Sequence, residues 1–167
     1  SSAYKKEFLI SNHIQFNTNY TYYSDFVFLL KCLMNCKTVK DCLDSEYIKR
    51  RHNDPINYPA LRQMEDDGRF NERIAIFNEA YELVEGNEVL KYCVDRKIIS
   101  YYLGRFIRRL RRSEKPEWKK VYYPALSKVM QNCSPDTIME YKKEQQAMIL
   151  SIQANNLPRT LKQVRKY

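Results

Sequence analysis

EVLKYCVDRKIISYYLGRFIRRLRR, residues Glu88–Arg112, runs for 25 residues without a proline and with Gly104 as its single glycine. Leu90, Val94, Ile99, Tyr102, Leu103, Phe106 and Leu110 recur at helical spacing, which predicts one long amphipathic helix. Arg105, Arg108, Arg109, Arg111 and Arg112 crowd its last two turns, where cations favour the negative end of the helix dipole, and Pro116 stops it. Upstream, Phe70, Ile74, Phe77, Tyr81 and Val84 form a second stripe closed by Gly86-Asn87. Downstream, Trp118, Val121, Tyr122, Ala125, Leu126 and Val129 predict a helix with Pro124 as a break or kink inside it. Ser134-Pro135-Asp136 then opens a fourth helix, Ser as cap and Pro at the first helical position, through Ile138, Tyr141, Gln145, Met148 and Ile152. Asn155-Asn156-Leu157-Pro158 ends it, and the tail with Arg159, Lys162, Arg165 and Lys166 is expected to fray or to continue into further chain. From Asn57 onward the expectation is almost wholly helical.

The first sixty residues read as mixed α/β. Phe8-Leu9-Ile10 suits a short helix that ends at Ser11-Asn12-His13, after which Ile14-Gln15-Phe16 shows period two. Ser24 and Asp25 are placed to cap a helix from Phe26 to about Cys36, with Phe26, Leu29, Leu30, Leu33 and Met34 on its apolar face. Thr38-Val39 with Cys42-Leu43 suggests one strand and Glu46 to Arg51 another, before the turn signal Asn53-Asp54-Pro55. The fold class expected is an α/β remnant followed by a mostly α-helical extension, helix-dominated overall, with residues 1–60 and 61–167 as its two parts.

Composition narrows the function classes. The three glycines, Gly68, Gly86 and Gly104, stand too far apart for a phosphate-cradling loop. The net charge is +9, and residues 101–167 alone hold 15 basic and 5 acidic groups, so the excess is C-terminal. Five cysteines form an odd set without a paired framework, and no apolar run approaches the roughly 20 residues of a membrane span; both suit a cytoplasmic location. Cys32, Cys36 and Cys42 have no following histidine pair, so core packing fits them better than zinc. The Arg108–Arg112 cluster, with Tyr101, Tyr102 and Phe106 interleaved, admits three readings: a phosphate-neutralising surface for nucleic acid, a solvated helix end, or a contact with anionic lipid or a polyanionic substrate.

KKEFLISNHIQF (Lys5–Phe16), YYSDFVFLL (Tyr22–Leu30) and YIKRRHNDPI (Tyr47–Ile56) together carry a resemblance. Over about residues 1–63 the chain resembles the second half of a family 2 glycosyltransferase catalytic domain of GT-A fold, most similar to the bacterial branch that decorates or builds teichoic acids and capsular polymers. The remainder matches only the loose pattern of a helical extension. The resemblance implies that Asp25 is the general base for an acceptor hydroxyl, although Ser24 stands where the family often has Glu. A pure capping role is the alternative for Asp25. It also implies that Arg50 and Arg51 stabilise the departing diphosphate and that His52 completes the coordination of a divalent metal, Mg or Mn. Strand alternation would turn Arg50 and Arg51 to opposite faces, leaving one of them for the phosphates. The family's Asp-x-Asp metal motif does not occur in this sequence.

On this resemblance the expectation is the acceptor-side part of an inverting transferase. Its donor would be a nucleotide-sugar and its acceptor a polyanionic cell-surface polymer, and this stretch alone would be inactive. Residues 105–166 would hold the acceptor or lie peripherally at the inner face of the membrane. The competing class is a non-enzymatic basic helical module that binds nucleic acid or serves in assembly, including homo-oligomers.

Overall fold

The structure, a computed structural model, describes residues 2–41, 68–112 and 116–164, together with Glu46, Ile48, Asp54 and residues 56–57. Its described residues are dominated by helix and contain no strand. The helices are α1 (Lys6–Ser11), α2 (Ser24–Asn35), α3 (Gly68–Leu83), α4 (Glu88–Tyr101), α5 (Ile107–Arg112), α6 (Tyr123–Met130), α7 (Pro135–Met139), α8 (Lys143–Gln153) and α9 (Leu157–Val164). Two compact units result, Ser1–Ile76 and Phe77–Tyr167, with the division falling inside α3.

In the first unit α1 ends as expected, with Asn12 as its C-cap and His13 in the left-handed region at φ 52°. Ile14, Phe28 and Cys32 form a small core against Phe8 and Leu9, and the Phe16 ring lies parallel to Phe28 with centroids 4.0 Å apart. Two expectations are corrected here. Residues 14–17 and 38–41 are irregular, so neither Ile14-Gln15-Phe16 nor Thr38-Val39 is extended into a ladder; the second expected strand falls almost wholly outside the described residues. The buried side chains of α2 are Val27, Phe28, Leu30 and Cys32, while Leu29, Leu33 and Met34 are exposed. The sequence of α2 is apolar on nearly every side, so periodicity could not choose its inward face.

The second unit has the larger core. Val94, Ile98 and Ile99 of α4, Leu110 of α5, Leu126, Val129 and Met130 of α6, and Met148, Ile149 and Ile152 of α8 are each at most 1% exposed. Burying one such side chain contributes about 1.5–3 kcal/mol before entropy is charged against it. The predicted Glu88–Arg112 helix is present as α4, a π-helical turn at Tyr102–Phe106, and α5. A second π turn, Trp118–Tyr122, leads into α6, whose second residue is Pro124. That proline has no N–H to give, and the Tyr123 N–H reaches back to Trp118 O, so the helix widens there and does not break.

The predicted fourth helix is two. Ser134 caps α7 by accepting from the Asp136 N–H at 3.2 Å, but the chain turns at residues 140–142 and restarts as α8. The Gln145 side chain accepts the Lys142 N–H at 3.1 Å, and Gln146 Nε2 donates to Met139 O and Tyr141 O, which stabilises the interruption. Leu157-Pro158 opens α9 and does not merely end α8; Thr160 and Val164 are buried, so the tail expected to fray is docked as far as residue 164.

Candidate functional site

Asp25 is exposed in the first turn of α2, where the helix dipole favours a carboxylate. The capping role expected of Ser24 or Asp25 is corrected: the cap position falls on Tyr23, which sits in the left-handed region at φ 58° and makes no side-chain cap bond. A tyrosine there is unusual and needs support from its surroundings. The support comes from α3. Glu72 Oε2 accepts the backbone N–H groups of Thr21 at 3.1 Å and Tyr22 at 3.0 Å. The Arg69 guanidinium lies 4.1 Å from the centroid of the Tyr22 ring, and that of Arg73 lies 4.2 Å from the Tyr23 ring. Two stacked cations and one chelating carboxylate therefore hold the turn that delivers Asp25.

Sequence reasoning missed these three residues. Their spacing, Arg69, Glu72 and Arg73 at i, i+3 and i+4, is the one signal that could have found them, because it places all three on one helix face. Arg50, Arg51 and His52 lie outside the described residues. Among the described residues no group of three or more His, Cys, Asp or Glu side chains could hold a metal ion.

In the second unit the arginines of the 105–112 stretch divide. Arg105, Arg108 and Arg111 are exposed; Arg109 is half-buried, its guanidinium 5.7 Å from the centroid of the Trp118 ring. Tyr102 and Phe106, which one reading offered as interleaved stacking rings, are fully buried. They continue as an aromatic chain through Trp118 to Tyr122, with successive centroids 5.6, 5.6 and 5.3 Å apart. These rings belong to the core.

A second polar cluster is buried. Asp95, with no exposed surface, accepts from Tyr81 Oη at 2.8 Å, the Ser134 N–H at 2.9 Å and Thr137 Oγ1 at 3.2 Å. The Cys133 thiol lies 3.1 Å from Tyr81 Oη and 3.9 Å from Met130 Sδ, to which it can donate. Burial is the main cause that pushes the Cys133 thiol up to about 12, which makes it an inert neutral group at physiological pH. Burial and the neighbouring Cys36 likewise raise the Cys32 thiol, so the expected packing role of Cys32 fits its environment.

No protein-family model, no curated protein and no solved structure matches this chain.

Proposed function

We propose that this chain is the acceptor-side part of an inverting GT-A glycosyltransferase followed by a helical extension, with Asp25 as the general base. The observation that carries the reading is the braced turn: an exposed carboxylate at a helix N-terminus, delivered by a left-handed tyrosine that Arg69, Glu72 and Arg73 hold in place. A base for a hydroxyl must stay ionised and keep its position at the mouth of a cleft, and both conditions favour such a setting. Backbone strain retained next to a reactive side chain is a recurrent feature of functional sites.

In this reading residues 1–60 supply the acceptor side, Arg50 and Arg51 assist the departing diphosphate, and His52 completes a divalent metal site. The exposed Arg105, Arg108 and Arg111 favour a polyanionic acceptor, such as a teichoic-acid or capsular polymer, or a peripheral contact with anionic lipid. The test is nucleoside-diphosphate release by the intact enzyme over a panel of nucleotide-sugars. Asp25→Asn should lower kcat by about 100-fold or more while leaving the circular dichroism unchanged. Turnover equal to wild type would sink the assignment.

A further inference from the structure

We propose that α5, the π turn Trp118–Tyr122 and α9 together form a basic surface that docks on a membrane carrying anionic lipid. This names the partner of the basic extension and rests on that part of the proposed function, not on Asp25 or glycosyl transfer. Three segments distant in sequence meet here, because α5 packs against both the π turn and α9 inside the Phe77–Tyr167 unit. Ile107 and Leu110, Trp118 and Tyr122, and Thr160 and Val164 turn inward and are buried, so the outward sides of the three elements adjoin.

Arg108, Arg111, Lys119, Lys120, Arg159 and Lys162 are exposed on those sides, against a single described acid, Glu117. Among the described residues none of the six cations has an acidic partner; Arg108 Nε donates to Gly104 O, a neutral group that leaves its charge uncompensated. Arg108 and Arg111, and likewise Arg159 and Lys162, stand three apart on their helices, where like charges repel. The helix dipole accounts for cations at the end of α5. It does not account for Arg159, which lies in the first turn of α9, the positive end, where a cation is disfavoured. An anionic partner relieves this repulsion, and each Lys or Arg brought near an anionic leaflet strengthens binding about fivefold.

Of the polyanions, an anionic leaflet fits best. Base stacking needs exposed rings, and Tyr102, Phe106, Trp118 and Tyr122 are buried. Val121, by contrast, is 53% exposed directly after Lys119 and Lys120, and Leu157 and Leu161 are half-buried on the helix that carries Arg159 and Lys162. Apolar side chains set among cations gain from the acyl boundary of a bilayer and gain nothing from a soluble phosphate chain. Among the described residues no helix is long and apolar enough to cross a membrane, and the contact proposed is a peripheral one.

The test sediments the full chain with vesicles of phosphatidylcholine, alone or with about a third phosphatidylglycerol, at near-physiological salt, and maps the bound state by deuterium exchange. Binding should need the anionic lipid, disappear at high salt, and slow exchange in peptides of α5, the π turn and α9. Lys119→Gln with Lys120→Gln, and Arg159→Gln with Lys162→Gln, should each weaken partitioning about tenfold or more, and Val121→Ser about threefold. Lys5→Gln with Lys6→Gln, which removes the same charge from the first unit, should leave it within about twofold. Asp25→Asn should bind like wild type, which separates this outcome from that of the transferase assay. The proposal is overturned if neutral vesicles bind as well or neither kind binds, or if the Lys5 and Lys6 pair matters as much as the other two. It is also overturned if single-stranded RNA or polyphosphate at equal phosphate concentration strips the chain from the vesicles, which would assign the surface to a soluble polyanion. The exchange map uses the wild-type chain, so protection confined to other elements overturns the proposal even where a variant folds poorly.

Discussion

At the scale of single residues, Asp95 is a position where side-chain chemistry bears directly on stability. It is a fully buried carboxylate in the second unit, and Tyr81, Ser134 and Thr137 all give their protons to it. Asp95→Ala would leave the buried Thr137 hydroxyl and the part-buried Tyr81 hydroxyl and Ser134 N–H without this acceptor, and orphaned donors cost about 1–3 kcal/mol each where water cannot reach them. We expect a loss of at least about 3 kcal/mol in urea unfolding, whereas Tyr81→Phe, which removes one hydroxyl, should cost about 1–2 kcal/mol. Equal stability of Asp95→Ala and wild type would show that the cluster carries no such weight. The thiols give a second reading of the same environment. Cys93 is exposed whereas Cys133 is buried, so a thiol reagent in native buffer should modify Cys93 and leave Cys133 untouched until denaturant is added. Mass mapping of the labelled peptides decides it, and rapid native labelling of Cys133 would contradict the burial described.

At the scale of elements, the long arginine-rich helix tests how propensity acts inside a defect. Gly104 lies in the π-helical turn Tyr102–Phe106, and a Cβ built there meets no heavy atom within 4 Å. Gly104→Ala should therefore raise stability by about 0.5–1 kcal/mol, the helix cost of glycine relative to alanine, and thermal melting of the variant reads it directly. A lower melting temperature would mean that the π turn depends on glycine. The same helix shows what the sequence made legible. Its extent, its arginine crowding and most of its buried face could be read because the apolar positions differ sharply from the polar ones. Helix α2 could not be oriented, because Val27, Phe28, Leu29, Leu30, Leu33 and Met34 are all apolar and burial depends on what is packed nearby. The break between α7 and α8 carries no glycine or proline; it is held by side-chain bonds from Gln145 and Gln146, which no local rule anticipates. At the candidate site Asp25 is a candidate base only through the family resemblance; its place before an apolar run reads as a cap, and the cap position falls on Tyr23. The brace was not legible, because Glu72 lies 51 residues from Thr21 and 50 from Tyr22, and only folding brings them together.

At the scale of the whole molecule, the buried acids of the second unit set its response to alkali. Cys133 ionises at about 12 in the folded chain against an ordinary 9.0, and burial raises the Tyr81, Tyr102, Tyr123 and Tyr141 hydroxyls above their ordinary 10.0 as well. Each of these groups is neutral when protonated, so the unfolded chain loses its protons first. Between the unfolded and folded values the unfolded state binds fewer protons, and unfolding becomes easier as pH rises. Their stabilising contribution is complete below pH 9, begins to fall as the unfolded thiol ionises, and falls further once the unfolded tyrosines follow near pH 10. Urea midpoints at pH 7, 8.5, 9.5 and 10.5 should stay level over the first interval and drop progressively over the others. Cys133→Ala removes one of these protons from the balance, so its curve should fall less steeply between pH 9 and 10, even though the lost sulfur lowers its starting stability. A wild-type midpoint unchanged up to pH 11 would show that these side chains are not shielded from water in the folded chain, and the core assigned to the second unit would have to be redrawn.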